Sequence, residues 1–458
     1  MENDNICIME LDWFYQIWCS GSYIKKGRSL MQQDSRAAPQ SGIWGNRNYR
    51  FFLTAALISS PGYFIYIIAV EWLMLTMYES RSYLGMMLFA STFARLLFTI
   101  YGGIIADRLN RKWVVLISQW SELLLIASIL ACYLTDTLTP IFLIIVSFLF
   151  GIMDAFSGPA HSSMIVSITD KDSLQRANGL LRMAGQYSLI IGPLIGSTLI
   201  VSIGFTGVFL FCIATLLISS LLITCVRTPQ QVESTRSTTP WEDFRASLAY
   251  IRGHRILPFT AGIGFLMNFF IAGPMGVMIP IMARDILQGS AFVLACLQIS
   301  LGIGFILGAL TTSLCKTFVR PGLMMLCFLA VVVLGYSALG FIHQFALAVC
   351  ALFAIGYSIQ LSNIPIFTYI QKTTEAHMLG KVTAIMTSVS TALTPLSLAL
   401  MSYLLHLGVE LQSVVRVYGI CLLVITAGAF CITPLRTLTD ETSAVKHTNT
   451  VEDDGVST

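Results

Sequence analysis

What most constrains this chain is the recurrence of long apolar runs. Candidate spans fall at residues 51–78, 83–105, 113–134, 139–159, 177–202 and 205–226, and after a polar stretch at 256–282, 291–313, 322–342, 345–370, 381–406 and 413–434. About 20 apolar residues in a helix match the hydrocarbon thickness of a bilayer. Charged residues make up only 11% of the chain and hydrophobic ones 55%, against roughly 25% charged in an average soluble domain. A soluble chain of 458 residues would need polar shells for about three domains. Nothing between residues 51 and 435 supplies them. The expected fold class is an all-α membrane protein with about twelve transmembrane helices.

The placement of Lys and Arg orients the chain, because cytoplasmic loops carry the excess of positive charge. With the N-terminus inside, the cytoplasmic segments hold 22 of these residues and the outer loops only three, Arg81, Arg284 and Arg416. This asymmetry independently supports an even number of spans and two cytoplasmic termini. The runs 177–202 and 205–226 are split only by Gly204, so they are the pair most open to merging.

Residues 227–255 are rich in Thr, Ser, Gln and charge. Within them Trp241, Phe244, Leu248 and Ile251 recur at helical spacing, which reads as an amphipathic helix on the membrane surface. The expected organisation is a polar tail at 1–43, a first six-helix bundle at 44–226, a linker at 227–255, a second bundle at 256–435 and a cytoplasmic tail at 436–458. Six spans, a linker and six more is a repeat organisation found in many secondary transporters. Residues 1–43 lack the basic region, clean apolar core and cleavage site of a signal peptide. Two readings of them stay open: a genuine tail, or a true start near Met31. N-terminal peptides from the native protein would decide between these.

The clearest motif runs from Gly102 to Lys112, between the second and third spans. Gly102 and Gly103 let two helices approach closely, Asp107 sits at a helix end, and Arg108, Arg111 and Lys112 anchor the cytoplasmic turn. At these residues the chain resembles the major facilitator superfamily. Asn46–Arg50, Gly158-Pro159-Ala160, Arg176–Leu180 and Gly192–Gly196 resemble its bacterial branch of enterobactin-exporter-like and macrolide-efflux-like proteins. The resemblance covers residues 44–435. It implies two six-helix bundles rocking around a central cavity, with Gly103, Asp107, Arg108, Arg111 and Lys112 forming a conformational switch loop. Two departures stand out. The corresponding second-half segment, Gly308 to Arg320, has Thr312 where an acid is expected, and Phe150 occupies the fourth-span position where many proton-coupled members carry Arg.

Ionisable residues inside spans are costly, roughly 2.5–3.5 kcal/mol each on insertion scales, and so call for partners or a polar cavity. Five such residues lie in the first half: Glu71, Arg95, Glu122, Asp154 and Arg182. Arg95 and Glu122 lie at matching depth and are expected to pair, as are Asp154 and Arg182, either as structural ion pairs or as a charge relay. Glu71 has no basic residue at its depth. It is a candidate proton carrier, or else it faces the extracellular mouth. The second half offers neutral Asn268, Gln298, Gln360 and Asn363 as candidate cavity residues.

Pro61-Gly62, Gly192-Pro193, Gly273-Pro274, Pro365 and Pro395 interrupt spans. A proline frees a backbone carbonyl and kinks a membrane helix, so Pro61, Gly192, Pro193, Gly273 and Pro274 are candidate hinges. Phe265, Met267, Phe269, Phe270, Met275 and Met278 crowd the seventh span as candidate adaptable walls for a bulky substrate. The run Gly302–Gly308 has neither a preceding strand nor a Walker lysine, so it does not read as a nucleotide loop. The 11 cysteines lie mostly in apolar runs, and no Cys/His group has metal spacing. No catalytic triad, paired carboxylate or metal site stands out, so an enzyme is not expected.

The expectation is a multi-pass protein of the bacterial cytoplasmic membrane, acting as a monomer without cofactor and driven by the proton gradient. It would bind a small molecule and lipid, not nucleic acid, and would export a siderophore or a drug such as a macrolide as a proton antiporter. A lysophospholipid flippase and a non-transporting sensor or scaffold are the other readings.

Overall fold

A computed structural model of the chain describes residues 43–170, 173–228, 240–254, 256–314 and 320–438. Among these residues the structure is helical throughout, with eleven helices long and apolar enough to cross a membrane. The first four spans are Arg47–Tyr78, Arg81–Arg108, Arg111–Leu134 and Pro140–Ile168. The fourth continues past Pro159, where hydropathy alone ends it, because Pro159 is accommodated inside the helix.

Leu174–Thr224 is one continuous element, but at about 1.5 Å per residue it is far too long for one crossing. Gly204 breaks it with φ 68° and ψ −175°, a backbone conformation open to glycine and strained for other residues. Side-chain contacts establish the hairpin. Tyr187 bonds Leu57 and Gly196 faces Ile65 and Ile68, so residues 187–196 run parallel to the first span. Cys212 faces Gly62 and Arg227 faces Asn48, so the return arm runs antiparallel to it. The eleven helices therefore make twelve crossings.

The second half repeats this packing. Spans two and four, three and four, and three and six pack together; so do Ala291–Leu314 with Phe345–Thr373, Pro321–Leu339 with Phe345–Thr373, and Pro321–Leu339 with Leu411–Phe430. These are spans eight with ten, nine with ten and nine with twelve. The eleventh crossing, Ala376–Thr391 and Thr394–His406, packs on the seventh as the fifth packs on the first. The two bundles meet where span two packs on span eleven and span five on span eight.

Glycines tighten the equivalent pairs. Gly102 and Gly151 lie against backbone carbonyls between spans two and four, and Gly304, Gly308 and Gly356 do the same between spans eight and ten. The Gly302–Gly308 run is thus a helix-packing surface.

The Asn46–Arg50 motif ties four helices at the end bearing the basic loops. Asn46 caps the first span by accepting from the Tyr49 N–H at 3.2 Å, and it donates to the Ile168 carbonyl at 2.7 Å. Asn48 accepts from the Arg227 N–H at 3.1 Å, and the fully buried Tyr49 donates to the Ala177 carbonyl at 3.2 Å.

The linker helix is Pro240–Gly253. Ile251 is buried in a cluster with Ile256, Leu257, Met325 and Leu326. The helix therefore docks on the second bundle instead of lying only on a lipid surface. The side chains of Trp241 and Phe244 lie outside the described residues. His254 accepts from the Ile256 N–H through Nδ1, and partial burial pulls its pKa below the ordinary imidazole value.

Candidate functional site

Proline-freed carbonyls position the core helices of both bundles. Pro61 has no N–H for the Leu57 carbonyl, and the Tyr187 hydroxyl on span five donates to that carbonyl instead. The seventh span, Leu257–Met267 and Gly273–Ile281, is widened by a π turn at Asn268–Ala272. Within it the Gly273 N–H bonds the Asn268 carbonyl five residues back. The residue five beyond Phe269 is Pro274, which has no N–H. The Ser397 hydroxyl on span eleven donates to the Phe269 carbonyl. Spans one with five and seven with eleven are equivalent pairs of the repeat, so the same device stands twice. Gly192 packs against Phe64 and the Pro61 carbonyl, Gly273 packs against Ser397, and Pro193 lies inside the fifth-span helix. Tyr187 and Ser397 carry no sequence signal of their own; only the prolines point to them.

Ion pairs link the two bundles at the end opposite the basic loops. Arg81 Nε lies 2.5 Å from Asp285 Oδ2, Arg284 lies 3.2 Å from Glu79 Oε1, and Arg284 also lies 3.8 Å from Asp285 Oδ1. Ser402 donates to the Ser82 carbonyl at 2.7 Å beside them. Sequence reasoning treated Arg81 and Arg284 only as stray outer charges. The missed signal is that complementary acid–base pairs follow the first span of each half.

Glu71 sits two helical turns below this clasp, 5% exposed. Its Oε2 accepts from Gln298 Nε2 at 3.2 Å, a hydrogen bond that crosses from the first bundle to the second. The carboxylate therefore lies at the bundle interface and not in an open outer mouth.

Glu122 and Asp154 line a cavity of about 180 Å³ inside the first bundle, together with Tyr63, Tyr66, Gln119 and His161. The expected ion pairs are corrected here. Arg95 pairs with Asp154 at 3.1 Å and not with Glu122, because span two packs along span four and barely touches span three. Arg182 is exposed and forms no ion pair among the described residues. Gln119 is fixed from both sides, donating to Ser219 and accepting from Ser220, each at 3.0 Å.

A second cavity, of about 250 Å³, lies in the second bundle and is lined by Asn268, Asn363, Ser362, Met267 and Phe305. Two of the four candidate cavity residues meet there. Gln298 turns to Glu71, and Gln360 packs against Gly308. Met275 and Met278 are buried in a core shared by both bundles, and Phe269 and Phe270 pack on Tyr418, so these soft residues of the seventh span fill the protein core.

In the predicted switch loop, Arg111 donates to the Ser163 carbonyl at 2.9 Å and Lys112 to the Thr224 carbonyl at 2.6 Å. Gly103, Asp107 and Arg108 lie on the second helix, and their side chains lie outside the described residues.

Twelve crossings in two repeated bundles, with a carboxylate and ion pairs at their interface, define a membrane transporter. The chain belongs to the Major Facilitator Superfamily, whose family model matches residues 52–398. The uncharacterized MFS-type transporter YkuC of Bacillus subtilis is 26% identical over 74% of this chain and 81% of its own length. The enterobactin exporter EntS of Escherichia coli O1:K1 is 27% identical over 63% of this chain and 68% of its own. Among solved structures, a mutant of the nucleoside transporter NupG aligns with a TM-score of 0.67 at 11% identity, covering 84% of this chain and 100% of that one. At that identity the likeness is one of fold.

Proposed function

We propose that the protein is a proton-coupled exporter of a bulky amphiphilic small molecule, working by alternating access in a bacterial cytoplasmic membrane. The observation that carries the reading is the Glu71–Gln298 hydrogen bond across the bundle interface. An ionised carboxylate held there by one neutral amide is costly, since buried charge needs a charged or multiply bonded partner. Taking up a proton removes that cost while the bundles are closed at this end. Parting the bundles brings water to Glu71 and lets the proton leave. Proton occupancy and bundle closure are thereby linked.

The excess of Lys and Arg at the opposite end supports a cytoplasmic placement of that end and of both termini. The switch loop would then latch the cytoplasmic side in the alternate state. The similarity to enterobactin exporters supports export and a siderophore-like cargo, with a macrolide-like drug as the other amphiphile to test.

The test is Glu71→Gln, which keeps the shape and the amide contact but cannot carry a proton. Efflux of a catecholate or macrolide driven by a pH gradient should fall at least tenfold in vesicles, with membrane insertion unchanged. Unchanged gradient-driven efflux removes Glu71 from the mechanism. A deletion strain with neither altered chelator secretion nor altered macrolide susceptibility would favour the flippase or scaffold readings.

A further inference from the structure

The first bundle meets the second mainly through spans two and five, and span three lies away from that contact, packed on spans four and six. Its outward face shows Trp113, Ile117, Trp120 and Leu124, all exposed, at the i, i+4, i+7 and i+11 spacing of one helix stripe. With Lys112 at their head and Thr224 of span six beside them, they line a groove of about 370 Å³. From Lys112 to Leu124 it runs about 18 Å, at about 1.5 Å per residue. That is close to the roughly 15 Å of hydrocarbon in one leaflet. An apolar stripe alone needs only lipid tails over it, but the polar groups at the head of this one ask for more.

Lys112 stands at the end that bears the basic loops. Its ammonium donates to the Thr224 carbonyl at 2.6 Å and pairs with no carboxylate among the described residues, so its remaining donors stay open. Arg227 follows Thr224 by three residues. Thr228 donates to Asn110, the cap of span three, at 3.4 Å, which brings this stretch to the same helix end. Arg227 forms no ion pair among the described residues, although Asp170 lines a neighbouring cleft with it. An independent observation lies further in. The indole N–H groups of Trp113 and Trp120 make no hydrogen bond among the described residues, and a bare donor at membrane depth is costly. Trp120 lies eight residues beyond Lys112. Helical side chains lean toward the N-terminus, so its ring reaches back toward Lys112.

We propose that this groove holds one anionic phospholipid, with its phosphate on Lys112, its ester carbonyls at the two tryptophans and one acyl chain along Ile117 and Leu124. Basic pockets between membrane helices take anionic headgroups. The ester carbonyls lie just below the phosphate and supply the acceptors that the indoles lack. A phosphatidylcholine presents the same phosphate beside a fixed cation, which Lys112 and Arg227 repel. Lys112 is also the last residue of the Gly103–Lys112 motif, so an occupied groove holds that residue against span six.

The experiment follows thermal unfolding of the full-length protein in detergent while dioleoyl phosphatidylglycerol, or phosphatidylcholine with the same chains, is titrated in. A ligand that binds only the folded state raises the melting temperature with concentration. Phosphatidylglycerol should reach half-saturation at a concentration about tenfold lower than phosphatidylcholine, and glycerol phosphate without chains should have no effect. Lys112→Gln should weaken the phosphatidylglycerol response about fivefold, the factor for one basic residue at an anionic lipid surface. Trp120→Ala should weaken it about threefold through the lost indole contact. Arg436→Gln, at the same end of the second bundle, should leave it unchanged. An equal response to both lipids, stabilisation by glycerol phosphate alone, or the same loss in Arg436→Gln as in Lys112→Gln overturns the proposal. Trp120→Ala lies on an exposed face and decides the matter if Lys112→Gln does not fold; a wild-type response there also overturns it. The readout is binding, so a failure here leaves the transport reading standing.

Discussion

At the scale of single residues, the polar groups of the first bundle are held to very different degrees. Gln119 satisfies two serines at once, and Gln119→Leu strands both, so it should cost about 1–3 kcal/mol. Thermal unfolding in detergent would measure this. The Arg95–Asp154 pair is half open to its surroundings, and an exposed pair contributes about 1 kcal/mol or less. Arg95→Gln should therefore leave the melting temperature nearly unchanged, and a large loss would place the pair in a drier setting than described. The identity of Arg95's partner was not legible in the sequence. Depth along a helix follows from residue count, but pairing also depends on which way each side chain faces and on which helices are neighbours. Arg95 and Glu122 share a depth, yet span two turns toward span four. The five charged residues themselves stood out at once, because an apolar run makes any charge conspicuous.

At the scale of helices, proline and hydroxyl act as a unit. Pro61 with Tyr187 and Pro274 with Ser397 each join a kinked helix to its neighbour through a freed carbonyl. Ser397→Ala and Tyr187→Phe should each cost about 0.6–1.7 kcal/mol, the range for hydrogen bonds between membrane helices. In a Pro274→Ala background the cost of Ser397→Ala should shrink, because residue 274 regains its N–H. A double-mutant cycle on thermal stability tests this, and strict additivity would refute the pairing. The spans were legible from hydropathy because bilayer thickness sets their length. The end of the fourth was misplaced because Pro159 looks like a terminator, whereas the helix passes through it with the carbonyl of Ala155 lying against Gly102. The linker helix was legible from its spacing, but its docking on the second bundle was not, since lipid and protein reward the same apolar face.

At the scale of the whole molecule, the clasp of Glu79, Arg81, Arg284 and Asp285 holds the two bundles together at one end. Each exposed pair contributes about 1 kcal/mol or less, so Arg81→Ala with Arg284→Ala should shift the balance toward the opened form by no more than about thirtyfold. Spin-label distances between the outer ends of spans one and seven would report that shift. High salt should move the wild type the same way, because screening weakens exposed charge pairs. No change in either experiment would make the clasp a passive contact. The two-bundle repeat could be read from the spacing of spans, but the clasp could not, because it joins residues more than 200 positions apart.

The knot at Asn46, Asn48 and Tyr49 also sets a timetable for synthesis. Asn48 waits for Arg227, which follows it by 179 residues. At about 5–20 residues per second of synthesis, that delay is roughly 9–36 s. During this interval Asn46 and Tyr49 can already close on Ile168 and Ala177, and the Asn48 contact alone stays open. The first bundle should therefore gain protease resistance in two steps, the first when residues 168–177 emerge and the second when the sixth crossing does. Nascent chains stalled just before and just after residue 227 would show the difference.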